Sequence, residues 1–243
     1  MSARTLRVSR LPDGRPEIFT SIQGEGPTCG LPSVFVRLAL CNLRCSWCDT
    51  AYTWDWARFD QRESIIELDA STFASRVIAA ASAQGTANAV ITGGEPLLQQ
   101  DGLVRLAHAL KDAGLRIEVE TNGTIVPLAG LAEHVDQWNV SPKLTNSRND
   151  PALRRRDEAL KWFAAKESAY FKFVIVAPDD VEEVSCLVRQ HGLPRHRVML
   201  MPEGVDASTV TERSRWLAER CVAEGYRLGP RMHILLWGAE RAR

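Results

Sequence analysis

The sequence lacks several features that would place the protein at a membrane or on a nucleic acid. No apolar run approaches the roughly 20 residues that cross a bilayer, and the N-terminus lacks the apolar segment of a secretory signal. Net charge is also absent: 30 Lys and Arg balance 30 Asp and Glu, so no overall field attracts nucleic acid or anionic lipid. There is no internal repeat. We therefore predict a cytoplasmic protein that binds neither nucleic acid nor membrane.

Short apolar, β-branched runs alternate with helical patterns along the chain. Such alternation indicates βαβ units and a mainly parallel sheet. The predicted strands are 33–40, 87–91, 115–120, 135–140, 170–176 and 197–201, and the predicted helices lie near 70–84, 101–113, 151–166, 179–190 and 207–224. Asp206 or Ser208 can cap the last helix, and Gly225 suits its end. Six or seven strands are too few for a closed eight-stranded barrel. We predict an α/β fold, a partial (incomplete) TIM-like barrel of parallel strands, in a single domain over residues 1–243.

Cysteine is scarce, and its distribution is uneven. Of six cysteines, Cys41, Cys45 and Cys48 form a C-x3-C-x2-C cluster directly after the first predicted strand. In a reducing compartment such clusters hold metal more often than they form disulfides, and thiolates favour zinc, copper(I) or iron–sulfur clusters. Three cysteines would leave one iron of a [4Fe–4S] cluster open to another ligand. The alternative is a closed zinc site whose fourth ligand is Cys29 or a distant histidine.

Glycine-rich and polar segments follow the other predicted strands. They are T-G-G-E-P at 92–96, T-N-G-T at 121–124, S-P-K-L at 141–144 and P-E-G-V at 202–205. Because ligands bind at the carboxyl ends of parallel strands, we expect these segments and the cysteine loop on one rim of the sheet. In T-G-G-E-P the paired glycines would let the backbone approach a ligand, with free N–H and C=O groups, and Glu95 could accept from an ammonium group. The simpler alternative is a tight strand-to-helix turn.

Together, the cysteine and G-G-E-P motifs resemble the radical S-adenosylmethionine (SAM) superfamily, in which three cysteines hold a [4Fe–4S] cluster and the open iron binds SAM. Trp47 matches the aromatic residue that usually precedes the last cysteine. Further segments are similar to the 7-carboxy-7-deazaguanine synthase family. These segments are E-I-F-T-S-I-Q-G-E-G at 17–26, C-D-T at 48–50, E-V-E-T-N-G at 118–123, S-P-K at 141–143 and H-I-L-L-W-G at 233–238.

The resemblance implies a reaction, its cofactors and its partners. The reaction is that of a carbon–nitrogen lyase, which converts 6-carboxy-5,6,7,8-tetrahydropterin to 7-carboxy-7-deazaguanine by radical ring contraction with loss of ammonia, in queuosine and related 7-deazapurine biosynthesis. The implied cofactors are a [4Fe–4S] cluster, SAM and Mg2+, and the radical forms on SAM, so no protein residue is assigned as catalytic. An electron donor such as flavodoxin or ferredoxin and a homodimer are also implied.

The resemblance further assigns residues to roles. The implied metal ligands are Cys41, Cys45 and Cys48 for the cluster and Thr50 for Mg2+. The implied substrate contacts are Ile22, Gln23, Gly24, Arg37 and Thr92. The implied SAM contacts are Gly94, Glu120, Ser141, Pro142, Lys143, Met201, Pro202, Glu203 and Gly204. We expect the segment 225–243 to complete the substrate site, and L-R-R-R-D at 153–157 to be a solvated helix face.

Two other functions stay open at the level of sequence. A glycyl-radical-enzyme activase would share the cysteine loop, G-G-E-P and E-T-N-G, but a protein substrate has no need of a pterin pocket built from Q-G-E-G, Arg37 and Thr50. A non-enzymatic zinc or electron-transfer module would need the cysteines and no glycine-rich rim.

Overall fold

A computed structural model describes residues 5–243 and places ten strands in one sheet. The strands are β1 Thr5–Ser9, β2 Ile18–Ile22, β3 Pro32–Leu38, β4 Ile65–Asp69, β5 Asn88–Gly93, β6 Arg116–Thr121, β7 Gln137–Val140, β8 Ala169–Ile175, β9 Val198–Pro202 and β10 Arg227–Leu228. Their order across the sheet is β10-β9-β8-β7-β6-β5-β3-β1-β4, and β2 pairs with β3 outside that path.

The central strands are parallel and confirm the predicted fold class. Strand β3 and strands β5 to β10 pair in parallel. Strands such as β7 and β9 are buried at every position, as expected where both faces of a parallel sheet are covered. All six predicted strands are present, with ends shifted by at most two residues. The path ends at β10 and β4 without closing, which gives an open, partial barrel.

Three antiparallel strands were not predicted. Strand β1 pairs with β3 and β4, and β2 pairs with β3. Strand β2 is half-buried at every position, and β4 mixes half-buried and exposed positions. Their sequences are therefore more polar than those of the central strands, and the expected total of six or seven strands was too low.

Nine α-helices lie within the described residues. They are α1 Gln61–Ser64, α2 Ala70–Gln84, α3 Gln100–Asp112, α4 Ala129–Ala132, α5 Pro151–Arg154, α6 Asp157–Ala164, α7 Pro178–His191, α8 Ala207–Glu224 and α9 Met232–Trp237. Helix α8 has the predicted bounds: Asp206 accepts a hydrogen bond from the Thr209 backbone, and Gly225 adopts a left-handed conformation at its end. None of the helices in this part of the chain is long and apolar enough to cross a membrane.

The single helix predicted over 151–166 was wrong. The solvated face predicted at 153–157 is correct for four of its five residues but not for Arg154. Helices α5 and α6 are separate because Arg155 is extended. Arg154 is only 4% exposed; its guanidinium donates to Glu183, to the Lys143 carbonyl and to Thr145. A buried guanidinium needs such partners. Arg154 thus anchors the segment after β7 instead of facing solvent.

The two faces of the sheet differ in chemistry. On β7, Trp138 points toward α6, where its ring packs edge-on against Trp162 and Phe163. The next residue, Asn139, points to the opposite face and donates to the buried carboxylate of Glu118. The apolar core therefore lies between the sheet and the helices, while the other face carries polar side chains toward one end of the strands.

Candidate active site

A cavity of about 240 Å³ lies where the segments after the parallel strands meet. Fifteen of the predicted site residues line it: Ile22, Gln23, Gly24, Arg37, Cys41, Cys45, Cys48, Thr50, Thr92, Gly94, Glu120, Ser141, Lys143, Met201 and Glu203. Pro142, Pro202 and Gly204 do not line it. The expectation that the cysteine loop and the glycine-rich and polar segments share one rim of the sheet is therefore correct.

Each of the three clustered thiols accepts a hydrogen bond from an N–H group. The Leu43 backbone donates to Cys41 Sγ at 3.4 Å, the Asn149 amide to Cys45 Sγ at 3.3 Å, and the Trp54 indole to Cys48 Sγ at 3.3 Å. Such donors stabilise sulfur that carries negative charge, as cluster ligands do. The thiols and their surroundings therefore fit a bound iron–sulfur cluster.

Partial burial of the clustered thiols points the same way. Desolvation raises the pKa of Cys41 to about 12 and also raises the pKa of Cys45, so thiolates at these positions need a bound cation. Within residues 5–243, no three His, Cys, Asp or Glu side chains converge as ligands of a single metal ion. Thiolates of a [4Fe–4S] cluster bind different irons and need no common point. Cys29, the suggested fourth zinc ligand, does not line the cavity.

Two residues of the loop that were singled out from the sequence flank Cys48. Trp47 lies under the ammonium group of Lys143, with Nζ 5.4 Å from the ring centre, and its indole donates to Asn146. Thr50 faces the cavity, and its hydroxyl oxygen lies 3.6 Å from Cys48 Sγ. A hydroxyl at this point is a hard oxygen donor beside the soft thiols.

The paired glycines pack closely against the protein backbone. A Cβ atom on Gly93 would lie 2.1 Å from the Leu38 carbonyl oxygen, and one on Gly94 would lie 2.0 Å from that of Leu40. The Gly94 N–H donates to Leu38 and the Glu95 N–H to Leu40. The prediction of a free N–H group was therefore wrong for Gly94, although both glycines line the cavity.

Glu95 is a structural residue, so the prediction that it could accept from a ligand's ammonium group was wrong. Its side chain is fully buried and accepts from the backbone N–H groups of Leu97 and Asn122 and from the Thr121 hydroxyl. These bonds fix the turn after β5 against the end of β6. The simpler alternative, a strand-to-helix turn, is the correct one for this residue.

Arg37, which lines the cavity, is held by a buried carboxylate. Its Nε donates to Glu17 Oε1 at 2.9 Å, and Glu17 is fully buried. The other carboxylate oxygen, Oε2, accepts from Arg241 at 2.6 Å, and the Tyr52 hydroxyl donates to Oε1 at 3.2 Å. Burial alone would raise the pKa of Glu17, but the two guanidinium groups lower it. Glu17 is therefore ionised and orients Arg37.

A buried lysine connects two carboxylates in the middle of the cavity. Lys172, on β8, donates to Glu25 at 2.9 Å and to Glu120 at 3.1 Å, and Glu120 also accepts from the Thr92 hydroxyl at 2.8 Å. Burial would lower the pKa of Lys172, but the two carboxylates raise it instead. The ammonium group therefore stays charged and fixes both acidic side chains.

The segment before α9 closes the cavity over the Q-G-E-G loop. Arg231 donates to Glu25, to Asp49 beside the cysteines, and to the Gly204 carbonyl oxygen at 2.5 Å. The Met232 N–H donates to the Gly24 carbonyl. A Cβ on Gly24 would lie 2.3 Å from His233 Nδ1, so a glycine is needed for this contact. Arg231 thus joins the loop after β2, the cysteine loop and the segment after β9.

Several ionic residues of the site were missed from the sequence, among them Lys172, Arg231 and Glu17. Lys172 is the one charged residue in the apolar run of β8, and a charge at the centre of a buried strand is a signal that could have identified it. Arg231 and Glu17 carry no such signal, since each lies in a mixed loop. Their importance depends on partners that are distant in the chain.

Comparisons with known proteins agree with this geometry. A family model described as the radical SAM superfamily matches residues 37–212. A 7-carboxy-7-deazaguanine synthase from Pyrobaculum aerophilum is 40% identical over 228 residues, which cover 93% of this chain and 96% of that protein. A synthase of the same name from Hyperthermus butylicus is 37% identical over 90% of this chain and 91% of its own length.

A solved structure shares the fold. The crystal structure of QueE from Escherichia coli matches with a TM-score of 0.69 at 24% identity, and the match covers 94% of this chain and 95% of that one. The superfamily model spans most of the chain, and the named relatives match nearly their full lengths. The chain therefore belongs to the 7-carboxy-7-deazaguanine synthase family of the radical SAM superfamily.

Proposed function

We infer that the protein is a lyase that converts 6-carboxy-5,6,7,8-tetrahydropterin to 7-carboxy-7-deazaguanine, with loss of ammonia, in queuosine and related 7-deazapurine biosynthesis. The observation that carries this function is a single cavity lined both by three clustered thiols and by a largely buried guanidinium that a carboxylate orients. The first arrangement suits a cluster and the second suits a carboxylate. Relatives at 40% and 37% identity bear this synthase name.

Cys41, Cys45 and Cys48 would hold the [4Fe–4S] cluster, and SAM would lie against the segments after β5, β6, β7 and β9. When bound, this pair supplies the one-electron chemistry that removes a hydrogen atom from the substrate. The chain's own contribution is to exclude water and hold the reacting groups in place. Lys143, Glu120 and Glu203 offer charged groups for the polar parts of SAM.

Substrate binding would depend on Arg37, the Q-G-E-G loop and Thr50. Arg37 has its Nε on Glu17, so its two terminal nitrogens are the ones that would bind the substrate carboxylate. The Q-G-E-G loop would meet the pterin edge through its backbone, because the Gln23 side-chain amide is engaged with the buried carboxylate of Glu118. Thr50 would bind Mg2+, which would orient the substrate and polarise its oxygens.

The proposed function also includes an electron donor and a second copy of the chain as partners. A reduced flavodoxin or ferredoxin would supply the electron that the cluster needs, and two copies of the chain would form a homodimer. A reducing compartment such as the cytoplasm suits exposed cysteines such as Cys186.

The test is product analysis under anaerobic conditions. Reconstituted protein with SAM, Mg2+, a reductant and the carboxypterin should yield 7-carboxy-7-deazaguanine by mass spectrometry. Cys45→Ala should lose the product together with bound iron, whereas Arg37→Ala should keep the iron and lose most turnover. Cys186→Ala, which changes an exposed cysteine outside the cavity, is the matched control and should behave as wild type. The absence of product from iron-loaded wild type would refute the proposed function.

A further inference from the structure

We propose that Arg241 is a positioning residue that keeps the Arg37 end of the cavity positively charged and thereby makes it selective for a pterin that carries a carboxylate. This inference rests on the proposed function and adds a role for the segment at 239–243. It is based on three side chains, Glu17, Arg37 and Arg241, which we call the Glu17 triad.

Several specific contacts hold the Arg241 side chain in place. Its Nε and Nη2 both donate to Glu17 Oε2, at 3.2 and 2.6 Å, and Nη2 also donates to the Ser9 hydroxyl and the Arg10 carbonyl. Its guanidinium stacks on the Tyr52 ring with 3.7 Å between the guanidinium carbon and the ring centre. These contacts attach residue 241 to β1 and to the segment after the cysteine loop.

The charge count of the triad explains why two arginines share one carboxylate. Glu17 contributes one negative charge and each arginine one positive charge, so the triad carries one net positive charge. Without Arg241, Glu17 would cancel the charge of Arg37. An arginine that is neutralised by a fully buried carboxylate attracts a second carboxylate only weakly.

The surrounding charges make this balance more important. The neighbouring cluster contains the carboxylates Glu25, Asp49 and Glu120 against Lys172 and Arg231, which leaves one net negative charge. His233 adds no charge near neutral pH, because burial lowers its pKa. This cluster therefore gives an anionic substrate no net attraction, and Arg241 supplies the positive charge that the triad needs beside Arg37.

The proposal predicts a selective loss of affinity. In anaerobic, cluster-loaded protein with SAM, Arg241→Gln should weaken binding of the carboxypterin by roughly 10-fold. The affinity of the same variant for a tetrahydropterin that lacks the carboxylate should stay within about twofold of the wild-type value. The value of KM should rise while kcat changes little. Arg215→Gln removes one exposed arginine from α8 and is the matched control, which should leave both affinities unchanged.

A double variant separates charge from packing. Glu17→Gln together with Arg241→Gln restores one net positive charge, and the amide oxygen of the glutamine introduced in place of Glu17 can still accept from Arg37 Nε. This double variant should regain most of the affinity for the carboxypterin that Arg241→Gln loses. Arg241→Lys keeps the charge and should bind the carboxypterin within about threefold of wild type; it also provides a test if Arg241→Gln is unstable in a thermal melt.

Three results would overturn the inference: unchanged carboxypterin affinity in Arg241→Gln, an equal loss for both pterins, or a double variant weaker than the single one. The last two would mean that Arg241 acts through packing alone. Failure of the wild type to form 7-carboxy-7-deazaguanine would instead refute the proposed function. If the wild type forms product and Arg241→Gln binds the carboxypterin as tightly as the wild type does, the role of Arg241 is refuted and the proposed function is unaffected.

Discussion

The hydrogen bond from the Trp54 indole to Cys48 Sγ, 3.3 Å long, predicts an effect on the reduction potential of the bound cluster. Trp54→Phe removes the N–H donor and keeps an aromatic ring. A reduced cluster carries one more negative charge than an oxidised one, so the donor stabilises the reduced form more strongly. Loss of the donor should therefore lower the potential, making the cluster harder to reduce.

The size of the shift follows from the strength of such bonds. A hydrogen bond to a charged group is worth about 1.5–3 kcal/mol, and if about a third of that differs between the two redox states, the change is about 0.5–1 kcal/mol. For a one-electron couple, a tenfold change in equilibrium is 59 mV and about 1.4 kcal/mol. The expected decrease is therefore about 20–45 mV.

The assay is a redox titration of anaerobically reconstituted protein, with the reduced cluster followed by electron paramagnetic resonance. Trp56→Phe is the matched control: it changes an indole two residues away that, among the described residues, donates to no thiol. The explanation is refuted if Trp54→Phe shifts the potential by less than about 10 mV, or if Trp56→Phe shifts it equally. Iron content should match wild type in both variants, since no cysteine is changed.

Four further predictions follow from the site. Lys172→Met leaves two carboxylates without their shared partner and should lower the free energy of unfolding by about 3–5 kcal/mol in urea denaturation. In the wild type, Lys172 and Arg231 lower the pKa of Glu25 although burial would raise it; the folded protein thus releases this proton more readily than the unfolded chain. The stabilisation that ionised Glu25 gives the folded state is therefore fully present above the pKa of about 4.3 that a glutamate has in the unfolded chain, and it decreases as the pH falls below that value. Glu25→Gln should make the free energy of unfolding, measured by urea titration, less dependent on pH in this acidic range. Gly24→Ala would force a Cβ to 2.3 Å from His233 and should cost about 1–3 kcal/mol, seen as a lower melting temperature, with a raised KM for the pterin. Thr50→Val keeps the shape of the side chain and should abolish stimulation of turnover by Mg2+ while the cluster absorbance stays; unchanged stimulation would contradict a metal-binding role.

The parts of the fold that could be predicted are those whose signals are local. Buried parallel strands such as β5 and β8 are mostly apolar, and α8 has both a capping Asp206 and a terminal Gly225. Strands β1, β2 and β4 lack such runs because they are antiparallel or half-exposed. Their pairing depends on neighbours in space, which a local pattern does not contain.

The same distinction applies to the site. The cysteine loop and the rim segments follow strands directly, so their location could be predicted from the order of elements. The ion pairs could not, because Lys172 lies 147 residues from Glu25, and Arg231 lies 206 residues from it. Glu95 shows the opposite error: a residue in a characteristic motif was expected to meet a ligand, although its carboxylate satisfies backbone N–H groups inside the protein.

The long-range pairs of Glu17 and Glu25 have a consequence for the order in which the protein forms during synthesis. Strands β3 to β9 and the cysteine loop can assemble while the chain emerges, since each pairs with a segment already made or soon to follow. Glu17 and Glu25 must wait for Arg241 and Arg231, which leave the ribosome after every strand of the sheet. The ion pairs of Glu17 and Glu25 with these arginines, which hold Arg37 and the Q-G-E-G loop in place, are therefore completed only after the sheet has been synthesised.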